Sequence, residues 1–251
     1  LEPLSLYLLV ALGAAVAGFV QGLSGFAFGL VAMSIWAWTV EPKLAAVLAT
    51  FGALTGQLIA AFSQKRSFDK RLLLPFVLGG LVGVPLGVWL LPQLDVAVFK
   101  ACLGALLVVW CPAMLMARNL PRVTAGGRVA DAAAGLAGGV CSGVGGFAGA
   151  IPTLWCTLRR MDKDAQRAVI QNFNLAMLAV AFALHLGAGN VGVAMLPMLA
   201  IVAGCVLVPV LLGARLYVGI SDAAFRQIVL GLLTVSGVML LASSLPTLLQ
   251  R

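Results

Sequence analysis

The sequence predicts an all-α polytopic membrane protein built as two inverted repeats, each a broken or re-entrant helical hairpin followed by three transmembrane helices. Three observations predict it. Of 251 residues, 62% are hydrophobic and only 10% charged, with a mean hydropathy of +1.10; a soluble domain carries about 25% charged residues. Apolar runs of roughly 20 residues, the length that crosses a bilayer, follow one another along the chain. A glycine-rich stretch occurs twice: Gly18, Gly22, Gly25, Phe26 and Ala27 recur as Gly139, Gly143, Gly146, Phe147 and Ala148.

Taken in order, the apolar runs are 4–40 with a break at 22–25, then 44–62, 72–91 and 98–117. A polar linker at 118–128 follows. The second half reads 129–158 with a break at 143–146, then 166–186, 194–214 and 223–246. The expected units are therefore repeat 1 over 1–117, a cytoplasmic linker over 118–128 and repeat 2 over 129–251, in one membrane domain. The first run follows Glu2 without a basic segment, so it reads as structure and not as a leader.

The two broken runs differ from the other six. Limbs of 14 and 13 residues at 129–142 and 146–158 are about 20 Å long, too short to cross a core of about 30 Å. Hairpins with tips near mid-membrane are the expectation. Charge placement agrees. Cytoplasmic loops collect Lys and Arg. With hairpins, Lys65, Arg66, Lys70, Arg71, Arg118, Arg122, Arg128, Arg159, Arg160, Lys163, Arg167, Arg215 and Arg226 all fall on one side, leaving Lys43, Lys100 and Arg251 opposite. This is 13 of the 16 basic residues. Each repeat then crosses three times, which inverts the second against the first. Trp36, Trp38, Trp89 and Trp155 fall where an interfacial aromatic belt is expected; Trp110 does not.

Composition excludes several functions. The net charge of +8 sits in short loops, so it reads as topology and attraction to membrane lipids, not as nucleic-acid binding. The acids all lie in loops or at helix ends, which leaves no carboxylate relay or metal cage in the membrane. Nothing resembles a catalytic triad, a zinc motif or a P-loop. The expectation is no enzyme, no cofactor and no metal.

What remains suits a small anion. A helix N-terminus carries roughly half a positive charge and unpaired N–H donors, and glycine lets a ligand approach the backbone. The two breaks, at Gln21, Gly22, Ser24, Gly25 and Phe26 and at Ser142, Gly143, Gly145, Gly146 and Phe147, are therefore candidate substrate sites holding an anion without a buried cation. On this reading Gly25→Val and Gly146→Val abolish binding and Gly79→Ala does not. The alternative is that the glycines only let helices pack closely. Gln171, Asn172 and Asn174, three amides in one apolar helix, and Thr50 and Gln57 in the matching helix, are further substrate candidates or interhelical hydrogen bonds. His185 reads as an interfacial residue at the outer end of its helix.

The duplicated G-x-x-x-G-x-(S/G)-G-F-A pattern, the two four-segment halves and the Glu41-Pro42 and Asp162-Lys163 steps after each hairpin resemble the TauE/SafE family of sulfite and organosulfonate exporters. The resemblance spans essentially the whole chain. It implies a multi-pass protein of the bacterial inner membrane that moves a small sulfur-containing anion, with a proton or sodium as the candidate coupling ion. The residues leave a passive anion channel, a transporter of another small anion, or a non-transporting scaffold open.

Overall fold

The computed structural model describes residues 3–63, 68–117, 122–216 and 222–249. These form ten α-helices and no strand among the described residues: α1 Pro3–Ser24, α2 Phe28–Trp36, α3 Pro42–Ser63, α4 Lys70–Leu90, α5 Val96–Met116, α6 Gly127–Gly145, α7 Ala150–Leu158, α8 Lys163–Gly187, α9 Leu196–Leu216 and α10 Asp222–Leu249. Seven are long and apolar enough to cross a membrane: α1, α3, α4, α5, α8, α9 and α10. The protein is an all-helical, multi-pass membrane protein.

Helix starts follow local chemistry. The carboxylates of Asp69, Asp95 and Asp162 accept backbone N–H groups of the first turns of α4, α5 and α8, filling donors that a helix start leaves empty. The spans otherwise agree with the apolar runs to within about three residues.

The two hairpins differ from expectation in the lengths of their limbs. The first limbs are long: α1 has 22 residues and α6 has 19, about 33 and 29 Å. The second limbs α2 and α7 have 9 residues each, about 14 Å. The second break lies later than expected: α6 begins within two residues of the apolar run but continues through Gly143 to Gly145, and α7 starts only at Ala150. Both chains do turn back. Trp36 Nε1 donates to Leu9 O at 3.3 Å, fastening the end of α2 to the first third of α1. At the base of the second hairpin, Trp155 Nε1 donates to Asp131 Oδ1 at 2.8 Å and the Arg159 guanidinium pairs with the same carboxylate.

Trp36 and Trp155 thus act as clasps within the hairpins. Trp36 is fully buried. Trp38 and Trp89 remain exposed on the outer face, Trp38 with Lys100 over its ring. The Asp131 clasp carries a stability prediction. Asp131→Ala is expected to cost about 2 kcal/mol, below the roughly 3–5 kcal/mol of a fully buried pair, because Arg159 keeps 29% of its side chain accessible. A lower thermal midpoint of the purified protein in detergent is the readout, and an unchanged midpoint would refute the clasp.

Packing is reciprocal. α1 lies along α9 and α6 along α4; α5 lies along α10; α3 packs on α9 and α4 on α8. Glycine makes the two long contacts possible. A β-carbon at Gly79, Gly83 or Gly87 would stand 1.9–2.3 Å from a carbonyl oxygen of α6, and one at Gly135 or Gly139 would stand 2.1–2.4 Å from a carbonyl of α4. Gly22 meets Val210 O of α9 at 2.2 Å in the same way. These backbones touch with no side chain between them, the close approach that small residues permit in membranes.

Candidate functional site

The duplicated motif divides into two physical jobs. Gly18 and Gly22, and Gly139 and Gly143, face the partner helices α9 and α4, so the packing alternative holds for them. Gly25 and Gly146 make the turns, with φ of +83° and +71°, a conformation that glycine alone adopts freely.

At the first turn, Gly25 N–H donates to Gln21 O at 2.7 Å. Ser24 Oγ accepts from Ala27 N–H at 3.1 Å and, more weakly, from Phe26 N–H at 3.4 Å. Gln57 Nε2 donates to Gly25 O at 2.6 Å, and Gln21 Nε2 to Ala53 O at 2.9 Å. The turn is thus tied to α3 by two amides. At the second turn, Gly146 N–H donates to Ser142 O at 3.0 Å. The backbone donors expected at Gly25, Phe26 and Gly146 are therefore already engaged, because each turn closes on its own preceding helix.

The turns pass each other and touch. A β-carbon at Gly29 would stand 2.5 Å from Gly146 O, and one at Gly149 would stand 2.9 Å from the Phe26 side chain. Trp110 bridges them: its Nε1 donates to Ala150 O at 2.7 Å and its ring meets Phe26 edge-on at 5.9 Å. Trp110 is therefore buried between the turns.

Beside the first turn lies a cavity of about 620 Å³, within the range of ligand pockets, about 300–1,000 Å³. Ser24, Gly25, Phe26 and Ala27 form one wall. Trp110, Met114, Leu230 and Leu233 form an apolar wall, and Thr153, Thr157, Gln166 and Gln171 supply polar atoms. Arg160, Lys163 and Arg167 stand against a single acid, Asp164. A smaller cleft joins Gly25, Gln21, Gln57 and Gln171 to Arg167. The expectation of a turn remote from any cation is revised here. Arg167 lies one helical turn before Gln171 on α8, and α8 runs beside the first turn, so its basic end reaches the same cavity.

The structure sorts the remaining candidates. Gln171 is buried and faces Gly25, its amide 3.8 Å from where a side chain there would begin. Asn174 lies against Gly149, and Thr50 against Gly146. Asn172 Nδ2 donates back to Ala168 O of its own helix at 2.9 Å. Gly145 is shut in by the Phe147 ring and Met33, and Phe147 is buried. Gly22, Gly143, Gly145, Phe147 and Asn172 line neither the large cavity nor, Gly22 apart, the cleft. His185, in the last turn of α8, is fully buried because the loop after α8 folds back: Asn190 N–H bonds His185 O at 2.9 Å and the Asn190 amide meets the ring Nδ1 at 3.1 Å.

Sequence reasoning missed Thr153, Thr157, Trp110 and the cavity role of Arg160, Lys163 and Arg167. The i, i+4 threonine pair on α7 and the i, i+4 spacing of Arg167 and Gln171 were the available signals. Gln171→Leu is expected to cut transport at least tenfold and Asn172→Leu less than twofold, measured as flux per folded protein. Equal losses would contradict this sorting.

Residues 10–240 match the model of the family described as Sulfite exporter TauE/SafE. No curated protein and no solved structure matches the chain. Glycine turns, apolar helices and the extent of the match agree: the chain belongs to the sulfite exporter TauE/SafE family, whose members are membrane transporters and not enzymes.

Proposed function

We propose that this chain is a secondary transporter, working as an exporter, of sulfite or small organosulfonate anions in a bacterial inner membrane. The cavity carries the reading. It joins the first glycine turn to a cluster of three basic residues and one acid, and a cleft whose lining is net positive concentrates anions. The anion enters past Arg160, Lys163 and Arg167 and reaches the turn. There it displaces Ser24 Oγ from the Phe26 and Ala27 N–H groups and takes a further bond from the Gln171 amide. Charge-assisted hydrogen bonds of this kind are the stronger ones, and the 3.4 Å bond from Phe26 is the weakest link to break. The apolar wall suits the hydrocarbon part of a sulfonate.

The same reading divides the chain into inverted repeats over 1–117 and 129–251 around a cytoplasmic linker at 118–128. Reciprocal packing of α1 on α9 and α6 on α4 supports it, as exchanging the halves maps one contact onto the other. The cavity then opens to the cytoplasm, and the contact of Gly29 with Gly146 closes the opposite side. That closure favours a transporter over a passive channel, which needs a continuous path.

Flux of labelled sulfite in proteoliposomes, against a panel of C2 and C3 sulfonates, tests the substrate. Accumulation driven by a pH gradient or membrane potential supports a transporter; flux that only dissipates a gradient supports a channel, and no flux a scaffold. Single-cysteine labelling tests the orientation: positions 122 and 160 should react from the cytoplasmic side and position 189 from outside. Reaction of position 160 from outside would overturn the inverted arrangement. The same expectation for Lys65 lies outside the described residues.

A further inference from the structure

Around the second turn lie polar side chains with nothing to bond. Thr50 Oγ1, Ser142 Oγ and both amide atoms of Asn174 are buried and have no hydrogen-bond partner among the described residues, at exposures of 0%, 0% and 1%. They come from three helices, α3, α6 and α8, that pack on one another beside the second turn. A β-carbon at Gly146 would stand 2.7 Å from Thr50 N, and one at Gly149 would stand 2.7–2.8 Å from the Asn174 amide. Ser142 holds the Gly146 N–H through its carbonyl at 3.0 Å. Each buried polar group without a partner costs on the order of 1–3 kcal/mol, and three in one place mark a site for something that bonds to them.

We propose that this second turn binds one sodium ion through Thr50 Oγ1, Ser142 Oγ and Asn174 Oδ1. The end of α6 favours a cation. α6 points its C-terminal end at the site, and a helix C-terminus is electronegative with carbonyls in excess. The N–H groups of Gly146 and Ala150 are spent on Ser142 O and Phe147 O, and the closing carbonyls of α6 lie in the same turn as Ser142. Hydroxyl, amide and carbonyl oxygens suit a hard cation. Calcium and magnesium sites rely on carboxylates, and these three side chains include none, which selects a monovalent ion. Broken helices of transporters hold sodium with such carbonyl ends. The ion also has a route to the anion: Gly29 rests on Gly146 and Phe26 on Gly149, so filling the second turn stiffens the first.

Binding of radioactive sodium to the full-length purified protein, with choline gluconate holding ionic strength and no sulfite present, tests this. Saturable binding is expected in the native sequence, at least tenfold weaker in Ser142→Ala and in Thr50→Val, and retained in Thr50→Ser. Thr234→Val, whose hydroxyl bonds Leu230 O on α10, should bind as the native protein does. Monodispersity on gel filtration qualifies each variant; should Thr50→Val fail it, the comparison of Ser142→Ala with Thr50→Ser decides. No saturable sodium binding in the native protein would mean that buried water fills the site and overturns the proposal, as would unchanged affinity in the qualified variants. Sulfite binding in sodium-free choline medium is measured separately, and its absence there and in sodium sinks the anion reading without touching this one.

Discussion

Gly25→Ala is expected to leave a folded protein that has lost at least nine-tenths of its transport, and Gly25→Val to lose all of it. The two turn glycines separate here. At Gly25 nothing stands within 3.8 Å of a new β-carbon, so the cost of folding is only the positive φ, about 1–2 kcal/mol. The new methyl faces the Gln171 amide across the place where the anion would sit. At Gly146 the same methyl would meet the Thr50 and Ala49 backbone at 2.7–2.8 Å, and neither can move without displacing α3. Gly146→Ala should therefore fail to accumulate as monodisperse protein. Gly204→Ala, which meets nothing within 4 Å, is the proper control. Gly79→Ala is not, since its β-carbon would stand 1.9 Å from Ala132 O. Fluorescence-detected gel filtration with flux per folded protein reads both quantities. Normal transport by Gly25→Ala would remove the anion from the first turn.

The second large effect belongs to the seam between α4 and α6. Gly83, Gly135 and Gly139 each put backbone within 2.1–2.4 Å of where a β-carbon would be. One alanine overpacks such a contact by about 1–3 kcal/mol. The triple replacement by alanine should cost about 3–9 kcal/mol on that scale, comparable with the whole stability of a domain, about 5–15 kcal/mol. No folded protein is expected from it, at any pH or sodium concentration. Recovery of a monodisperse, active triple variant would show that the helices do not touch as described.

Much of this protein was legible in its sequence because a bilayer leaves few choices. Backbone polar groups must be satisfied within each helix, so apolar runs such as 72–91 and 194–214 have one reading, and α4 and α9 stand where it put them. The breaks near Gly25 and Gly146 were legible as well, since the same glycine-rich pattern interrupts an apolar run at matching places in both halves. The assignment of each motif glycine was not. Gly22 and Gly25 look alike on paper, and only the arrival of α9 beside Gly22 makes it a packing residue. The Asp131–Arg159 pair was hidden for the same reason: it spans 28 residues, and no window of hydropathy sees that. Asn172 and Gln171 are neighbours in sequence with the same chemistry, yet helical rotation of about 100° per residue turns one toward the turn and the other away. The cavity was the least legible feature. Thr153, Trp110 and Arg167 come from three helices, and their shared space exists only because the two turns pass each other. Local sequence thus determined the helices and the turns, while contacts between distant helices decided which polar groups share a cavity and which are left buried without a partner.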